Sequence, residues 1–158
     1  MIENYLTILE DSLKQKIAVL DEITKLNTEQ EALLKQEDLS LEEFDDCVDK
    51  KDVLIQKLGE LDEGFDSLYE KIREQLLTNK EAYKTQIAHI QQLISKVTEK
   101  SVSIQAQEAR NKKAVEDHFA KERQQLREGR QNSKAAYDYY KSMNNTNVVP
   151  PQFMDQKK

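Results

Sequence analysis

Residues that form tight turns are scarce throughout this chain, and that scarcity limits the folds it can adopt. Its 158 residues include three glycines and two prolines, and the prolines stand together as Pro150 and Pro151. Strands joined by turns need more such residues, whereas long helices joined by short connections need few. Glu, Lys, Leu, Gln and Ala are abundant, and all favour helices. The sequence therefore predicts an all-α protein.

Composition limits both the core and the partners. Only 37% of the residues are apolar and 34% are charged, which excludes a broad core. The net charge of −6 is modest and the apolar residues are periodic, so narrow helical seams are favoured over disorder. An acidic pI of about 5.1 argues against nucleic-acid binding, which needs Lys and Arg to neutralise phosphates.

The same sequence predicts a cytoplasmic protein. No apolar stretch reaches the roughly 18 residues that a membrane-spanning helix needs, so no stable membrane insertion is expected. The beginning, "MIENYLTILED", lacks the basic and apolar regions of a secretory signal. The chain has a single cysteine, Cys47, which cannot form an internal disulfide.

Apolar spacing and caps predict where the helices lie. A first helix is expected from about Ile2 to Glu37, with apolar residues at steps of three and four. Ser40 and Glu43 form a capping box, so a second helix should begin near Leu41. Its apolar stripe continues through Phe44, Val48, Ile55, Leu58, Phe65, Tyr69, Ile72 and Leu76.

The next boundary is open at this stage. Thr78 and Glu81 form a second capping box, but the stripe continues to Ile104 with little loss of phase, which would suit one very long helix. A break at Thr78–Asn79 is preferred, because three seams can then share one core. The predicted fold is an elongated antiparallel, coiled-coil-like bundle of three long helices. The third, ending near Arg127, should outrun the others and either project or pair with a second copy as a homodimer.

Four residues interrupt the second stripe or its helix. Lys51 and Asp62 fall on the apolar stripe, and we expect the methylenes of Lys51 to pack while its ammonium stays in water. Gly59 and Gly64 lie off the stripe, and each costs roughly 1 kcal/mol relative to Ala in a helix. A local bend or a close approach of another helix is therefore expected at both glycines.

The character of the chain changes toward its end. Gly129 is expected to stop the third helix, which divides the chain into a bundle domain at 1–128 and a flexible segment at 129–158. A short helix in that segment carries apolar residues at helical spacing, and Phe153 follows beyond the two prolines. We interpret the segment as partner-binding, although a tail packed back on the bundle is the simpler alternative. The predicted contact residues are Leu126, Ala136, Tyr137, Tyr140, Met143 and Phe153.

Nothing in the sequence predicts catalysis, a cofactor or a metal site. His89 and His118 are 29 positions apart, which is not a metal-ligand spacing. Cys47 is better explained as a packed thiol than as a nucleophile, because no histidine lies near it. The three glycines are too dispersed to form a phosphate-binding loop. The chain is therefore predicted not to be an enzyme.

Several stretches together resemble the FlgN-like flagellar export chaperones. They are the leucine-rich first helix ending in "EQEALLKQEDLSLEEF", a Lys with neighbouring apolar residues at Lys51 or Lys57, and Asn111 in the third helix. The ending "FMDQKK" is similar to the family's Phe-Ile-Asp-Lys-like terminus, with Met154 where the family often has Ile. The resemblance extends along most of the chain.

The resemblance implies a non-catalytic, all-helical cytoplasmic chaperone. Such a protein binds hook–filament junction (hook-associated) proteins and holds them for the flagellar type III export apparatus, whose gate or ATPase components are further expected partners. The family places client binding in its C-terminal region. The alternatives are a helical chaperone of the filament-cap type and a structural coiled-coil dimer with an uninterrupted rod from Leu41 to Ile104.

Overall fold

The computed structural model describes residues 2–130, which form three α-helices joined by two short connections. Helix α1 spans Ile2–Leu34, α2 spans Leu41–Thr78 and α3 spans Lys84–Arg130. No strand is present among these described residues. The predicted all-α bundle of three long helices is confirmed.

Helices α1 and α2 run in opposite directions. Lys16 of α1 pairs with Asp62 of α2, whereas Glu29, farther along α1, lies beside Cys47. The partner's residue number falls as the α1 number rises. A six-residue connection, 35–40, therefore suffices to join the two helices.

Helices α1 and α3 run in the same direction. Lys100 donates to Asp21, and Asn27 donates to Gln107, so the paired residues are 79 or 80 positions apart along the chain. Helix α1 packs against both α2 and α3. The chain thus runs up, down and up, with the α2–α3 connection at the end where α1 begins.

A continuous apolar core occupies the part of the bundle in which α1 begins. We call this part, up to Ile23 of α1, the apolar end. Full burial of one large apolar side chain stabilises a fold by roughly 1.5–3 kcal/mol, so this core is the main source of the bundle's stability. Its buried residues are Leu6, Leu9, Leu13, Val19, Leu20, Ile23, Ile72, Leu76, Ile90, Leu93, Val97 and Ile104.

The cap predicted for α2 is present. The backbone N–H of Glu43 donates to Ser40 Oγ at 3.3 Å, and α2 begins at Leu41 as expected. The first helix is shorter than predicted, since it ends at Leu34 rather than Glu37. Residues 35–38 instead form a turn and bends that lead to the cap.

The break between α2 and α3 is confirmed, but the second predicted capping box does not form. The Thr78 hydroxyl donates to the carbonyl of Glu74 at 2.9 Å, so it closes the last turn of α2 instead of capping α3. Asn79 is the C-cap of α2, and α3 begins at Lys84 rather than Asn79. An uninterrupted rod from Leu41 to Ile104 is therefore excluded.

Two of the glycine predictions are wrong, namely the close helix approach at Gly59 and Gly64 and the helix stop at Gly129, while the local bend stays a prediction. A Cβ atom added at Gly59 or Gly64 would meet nothing within 4 Å, so no neighbouring helix approaches closely at either position. Gly129 does not stop α3, which continues to Arg130. The glycine's lower helix propensity is too small a penalty to end a helix by itself.

The third helix outruns the other two. Its 47 residues span ~70 Å, against ~50 Å for the 33 residues of α1. Because Lys51 pairs with Glu108 and the helices are antiparallel, the start of α2 lies opposite about residue 118. Residues 119–130, the projecting end, therefore continue for ~18 Å beyond it. The predicted projection is confirmed, and the domain boundary at 128 stays a prediction.

Candidate functional site

The projecting end carries the one predicted contact residue that the structure describes. Leu126 lies on it and is partly buried. The other five predicted contact residues fall in 131–158, outside the described part of the chain. Their position relative to Leu126 therefore stays a prediction, together with the short helix expected to hold them.

Charges on the projecting end are mixed rather than uniformly basic. Glu122 and Glu128 alternate along the helix with Lys121, Arg123 and Arg127. Gln124 Nε2 lies 3.5 Å from Glu128 Oε1, a weak contact within the helix. This pattern favours the interpretation of the stripe as a solvated helix face over that of a surface for one acidic partner.

Buried polar residues gather where the three helices meet below the projecting end. We call them the polar cluster, and the region around them the polar end. All five are less than about a tenth exposed, and Gln30 and Lys51 are fully buried. The members are Asn27, Gln30, Lys51, Glu108 and Asn111.

A buried ion pair is the centre of the polar cluster. Lys51 Nζ lies 2.7 Å from Glu108 Oε1 and donates to Gln30 Oε1 at 3.0 Å. One ammonium group thus links α2 to both α3 and α1. Charges this deep are found in proteins when they are paired and hydrogen-bonded, and this pair meets that condition.

A second set of hydrogen bonds ties α3 to α1 alone. Asn111 Nδ2 donates to the backbone carbonyl of Asn27 at 3.0 Å, and Asn27 Nδ2 donates to Gln107 Oε1 at 3.3 Å. Asn27 Oδ1 and Gln30 Nε2 have no hydrogen-bond partner among the described residues. The cluster therefore joins the helices through directional hydrogen bonds, while two of its buried polar atoms have no partner among the described residues.

The polar cluster overturns the expectation for Lys51. Its ammonium is not in water, because Glu108 and Gln30 supply it with partners inside the bundle. One signal was present in the sequence: Lys51 falls on the α2 stripe, while Glu108 and Asn111 continue the stripe of α3 in steps of four and three from Ile104. Polar residues in the apolar phase of two helices indicate a buried polar contact.

Cys47 is a buried thiol at the polar end. Its Sγ lies 3.6 Å from Glu29 Oε2, and the residue is one helical turn from Lys51. Burial, together with the negative charge of Glu29, raises the pKa of the Cys47 thiol above its ordinary value of 9.0. A raised pKa disfavours the reactive thiolate, which supports the interpretation of Cys47 as a packed side chain.

The histidines take part in separate contacts. His89 Nδ1 lies 3.1 Å from Glu10 Oε1, whereas His118 lies 3.7 Å from Glu122 on its own helix. Between residues 2 and 130, no group of three or more His, Cys, Asp or Glu side chains is arranged to hold a metal ion. None of the helices described has a segment apolar enough to cross a membrane.

Comparison with known proteins provides no relative for this chain. No protein-family model matches it, and no curated protein or solved structure is significantly similar to it. Its function is therefore inferred from its own residues and their arrangement.

Proposed function

We propose that this protein is a cytoplasmic chaperone that holds hook–filament junction proteins for the flagellar type III export apparatus. The supporting observation is the projecting end, which extends ~18 Å past the start of α2. In the sequence it is followed by the rest of the predicted partner-binding segment, which we call the tyrosine-containing segment because residues 137–140 include three tyrosines. The sequence resemblance to FlgN-like chaperones supplies the identity of the client. A helical terminus of the client would pair with this end of the molecule.

The contact residues proposed for the client are the six predicted from the sequence. Each large apolar side chain that becomes fully buried contributes ~1.5–3 kcal/mol, offset by the cost of ordering both chains. That balance gives reversible, micromolar-class binding, as handover to an export gate or ATPase requires. No catalytic step or cofactor is part of this proposal.

A binding experiment with full-length variants tests the proposal. Purified junction proteins are passed over the immobilised chaperone and over a variant carrying Tyr137→Ser, Tyr140→Ser and Met143→Ser. The triple variant should lose at least about tenfold in affinity, since each 1.4 kcal/mol of lost binding energy is tenfold. Tyr139→Ser is the matched control, because residue 139 would lie off the face that the other three share in the helix predicted from the sequence.

Two further arms separate the alternatives. A chain ending at Arg130 keeps all of α3 and removes the tyrosine-containing segment, so it should fail to retain the client. Undiminished retention would place the binding site within the bundle instead. A filament-cap protein tested alongside distinguishes the two classes of flagellar client. If neither protein binds the intact chain, the proposed function is wrong.

A further inference from the structure

Separating the helices would expose different side chains to water at the two ends of the bundle. Opening the apolar end exposes leucine and isoleucine side chains, which is costly in proportion to the area exposed. Opening the polar end returns Lys51, Glu108 and Gln30 to water. Burying two such charges carries a desolvation penalty, and this penalty is often larger than the attraction between them.

Apolar support at the polar end is also sparse. Leu26, Phe44, Cys47 and Val115 are buried there but lie outside the continuous apolar core. Segments with few buried apolar contacts open at lower free energy than the rest of a protein. The polar end therefore combines a weak apolar core with charged groups that water solvates well.

At the polar end, no connecting segment of the described chain joins α3 to α1 or α2. The connection at 35–40 joins α1 to α2 here, whereas the connection at 79–83 joins α2 to α3 at the opposite end. Nothing covalent links α3 to its neighbours near Glu108 or Asn111. Beyond Ile104, α3 is held by the polar cluster and its few apolar neighbours, whereas the part of α3 up to Ile104 is held by the apolar core.

We propose that the polar cluster is a latch: α3 separates locally from α1 and α2 above Ile104, while the apolar end stays folded. The separation breaks the contacts of Lys51 with Glu108 and of Asn111 with Asn27. It lengthens the projecting end of α3 back toward Ile104 and uncovers Phe44 and Val115. This local opening does not depend on which client the protein binds.

Cys47 provides a direct readout of the opening. It is the chain's single cysteine, is buried, and lies one turn from Lys51 on the same face of α2. Burial and Glu29 raise the pKa of the Cys47 thiol, whereas the Lys51 charge lowers it and so increases the thiolate fraction, and each variant therefore needs its own reference rate. The rate of labelling by excess 5,5′-dithiobis(2-nitrobenzoic acid) under native conditions, divided by the rate for the same variant unfolded in urea, measures how often the polar end opens. The intact, full-length protein is used throughout.

The first test replaces the latch by apolar side chains of similar shape. The triple variant Gln30→Met/Lys51→Met/Glu108→Leu also removes the buried amide that Lys51 would leave without a donor. It should open less often, and Cys47 should be labelled at least about fivefold more slowly. The matched control is Asp21→Leu/Lys100→Met, which removes an α1–α3 ion pair of the same 2.7 Å separation that is partly exposed. Its labelling rate should stay within about twofold of the wild type. Unchanged or faster labelling in the folded latch variant would overturn the proposal.

The second test separates local opening from global unfolding. Ile72→Val weakens the apolar end and raises the globally unfolded population severalfold, by about two- to thirteenfold for a typical substitution of this kind. If the latch opens locally, Cys47 labelling stays within about twofold of the wild type. Labelling that accelerates in proportion to the unfolding equilibrium constant would show that no separate opening exists.

Discussion

The two ends of the bundle are held together by different chemistry. At the apolar end, three seams of leucine, isoleucine and valine meet in one continuous core. At the polar end, one lysine of α2 bridges a glutamate of α3 and a glutamine of α1. Apolar seams with steps of three and four tolerate a shift of one helix along another. A buried lysine that must meet both partners does not. We therefore expect the polar end to fix the alignment of the helices and the apolar end to provide most of their stability.

The largest effect is expected from breaking the buried pair on one side. Glu108→Leu leaves the fully buried Lys51 ammonium without its carboxylate, and should lower the free energy of unfolding by ~3–5 kcal/mol. Adding Lys51→Met should recover part of that loss, because both charges are then gone while the buried Gln30 amide is left without its donor. Urea unfolding monitored by circular dichroism measures both values. A double variant as unstable as the single one would show that packing, not the unpaired charge, causes the loss.

Truncation in the apolar core should be nearly as damaging. Leu9→Ala removes a side chain that is 1% exposed and should cost ~2–5 kcal/mol of unfolding free energy. The exposed Ile8 next to it is the control, since Ile8→Ala should change stability by less than ~0.5 kcal/mol. Equal losses at both positions would contradict the assignment of the core face of α1.

A smaller effect is expected at the cap of α2, which lies at the polar end. Ser40→Ala removes the hydroxyl that accepts from Glu43 and should cost ~1 kcal/mol. Thr78→Ala removes the hydroxyl of the second predicted capping box, which instead bonds within α2. It should change the unfolding free energy little, so a loss as large as that of Ser40→Ala would restore the capping interpretation at Thr78.

The smallest expected effect is a pH dependence confined to the polar end. Because the pKa of Cys47 is raised in the folded state, the thiolate forms more readily in the unfolded chain. The thiol's contribution is complete below its ordinary pKa of 9.0 and is lost as the pH rises through the higher folded value. Wild-type stability should therefore fall more steeply than that of Cys47→Ala between pH 8 and 10.5, in thermal unfolding. Parallel pH profiles would contradict the assigned burial effect.

Features set by neighbouring residues were predictable from the sequence. Ser40 and Glu43 are three positions apart, and the local chemistry of a capping box is sufficient to start α2. The break after Thr78 was placed correctly from the need for three seams to share a core. Its capping was misassigned, because a threonine hydroxyl also bonds the carbonyl four residues earlier when the preceding residues are helical, as Thr24 and Thr98 do as well.

The polar cluster was not predictable in the same way. Asn27, Lys51 and Glu108 come from three different helices, and their meeting depends on the alignment of those helices. Apolar periodicity determines which face of a helix is buried but not which residues lie opposite each other. Lys51 was therefore assigned to water by its own chemistry, although its partners are 21 and 57 positions away in the chain.

Native-state hydrogen exchange along α3 tests the central comparison most directly. Amides at 105–118 lie in the polar end and are interior to α3, while those at 87–97 lie in the apolar end. We predict that the first group exchanges at least about tenfold faster than the second, through an opening with little denaturant dependence. Exchange of both groups at one common rate, set by global unfolding, would contradict the division of the bundle into two separately stable ends.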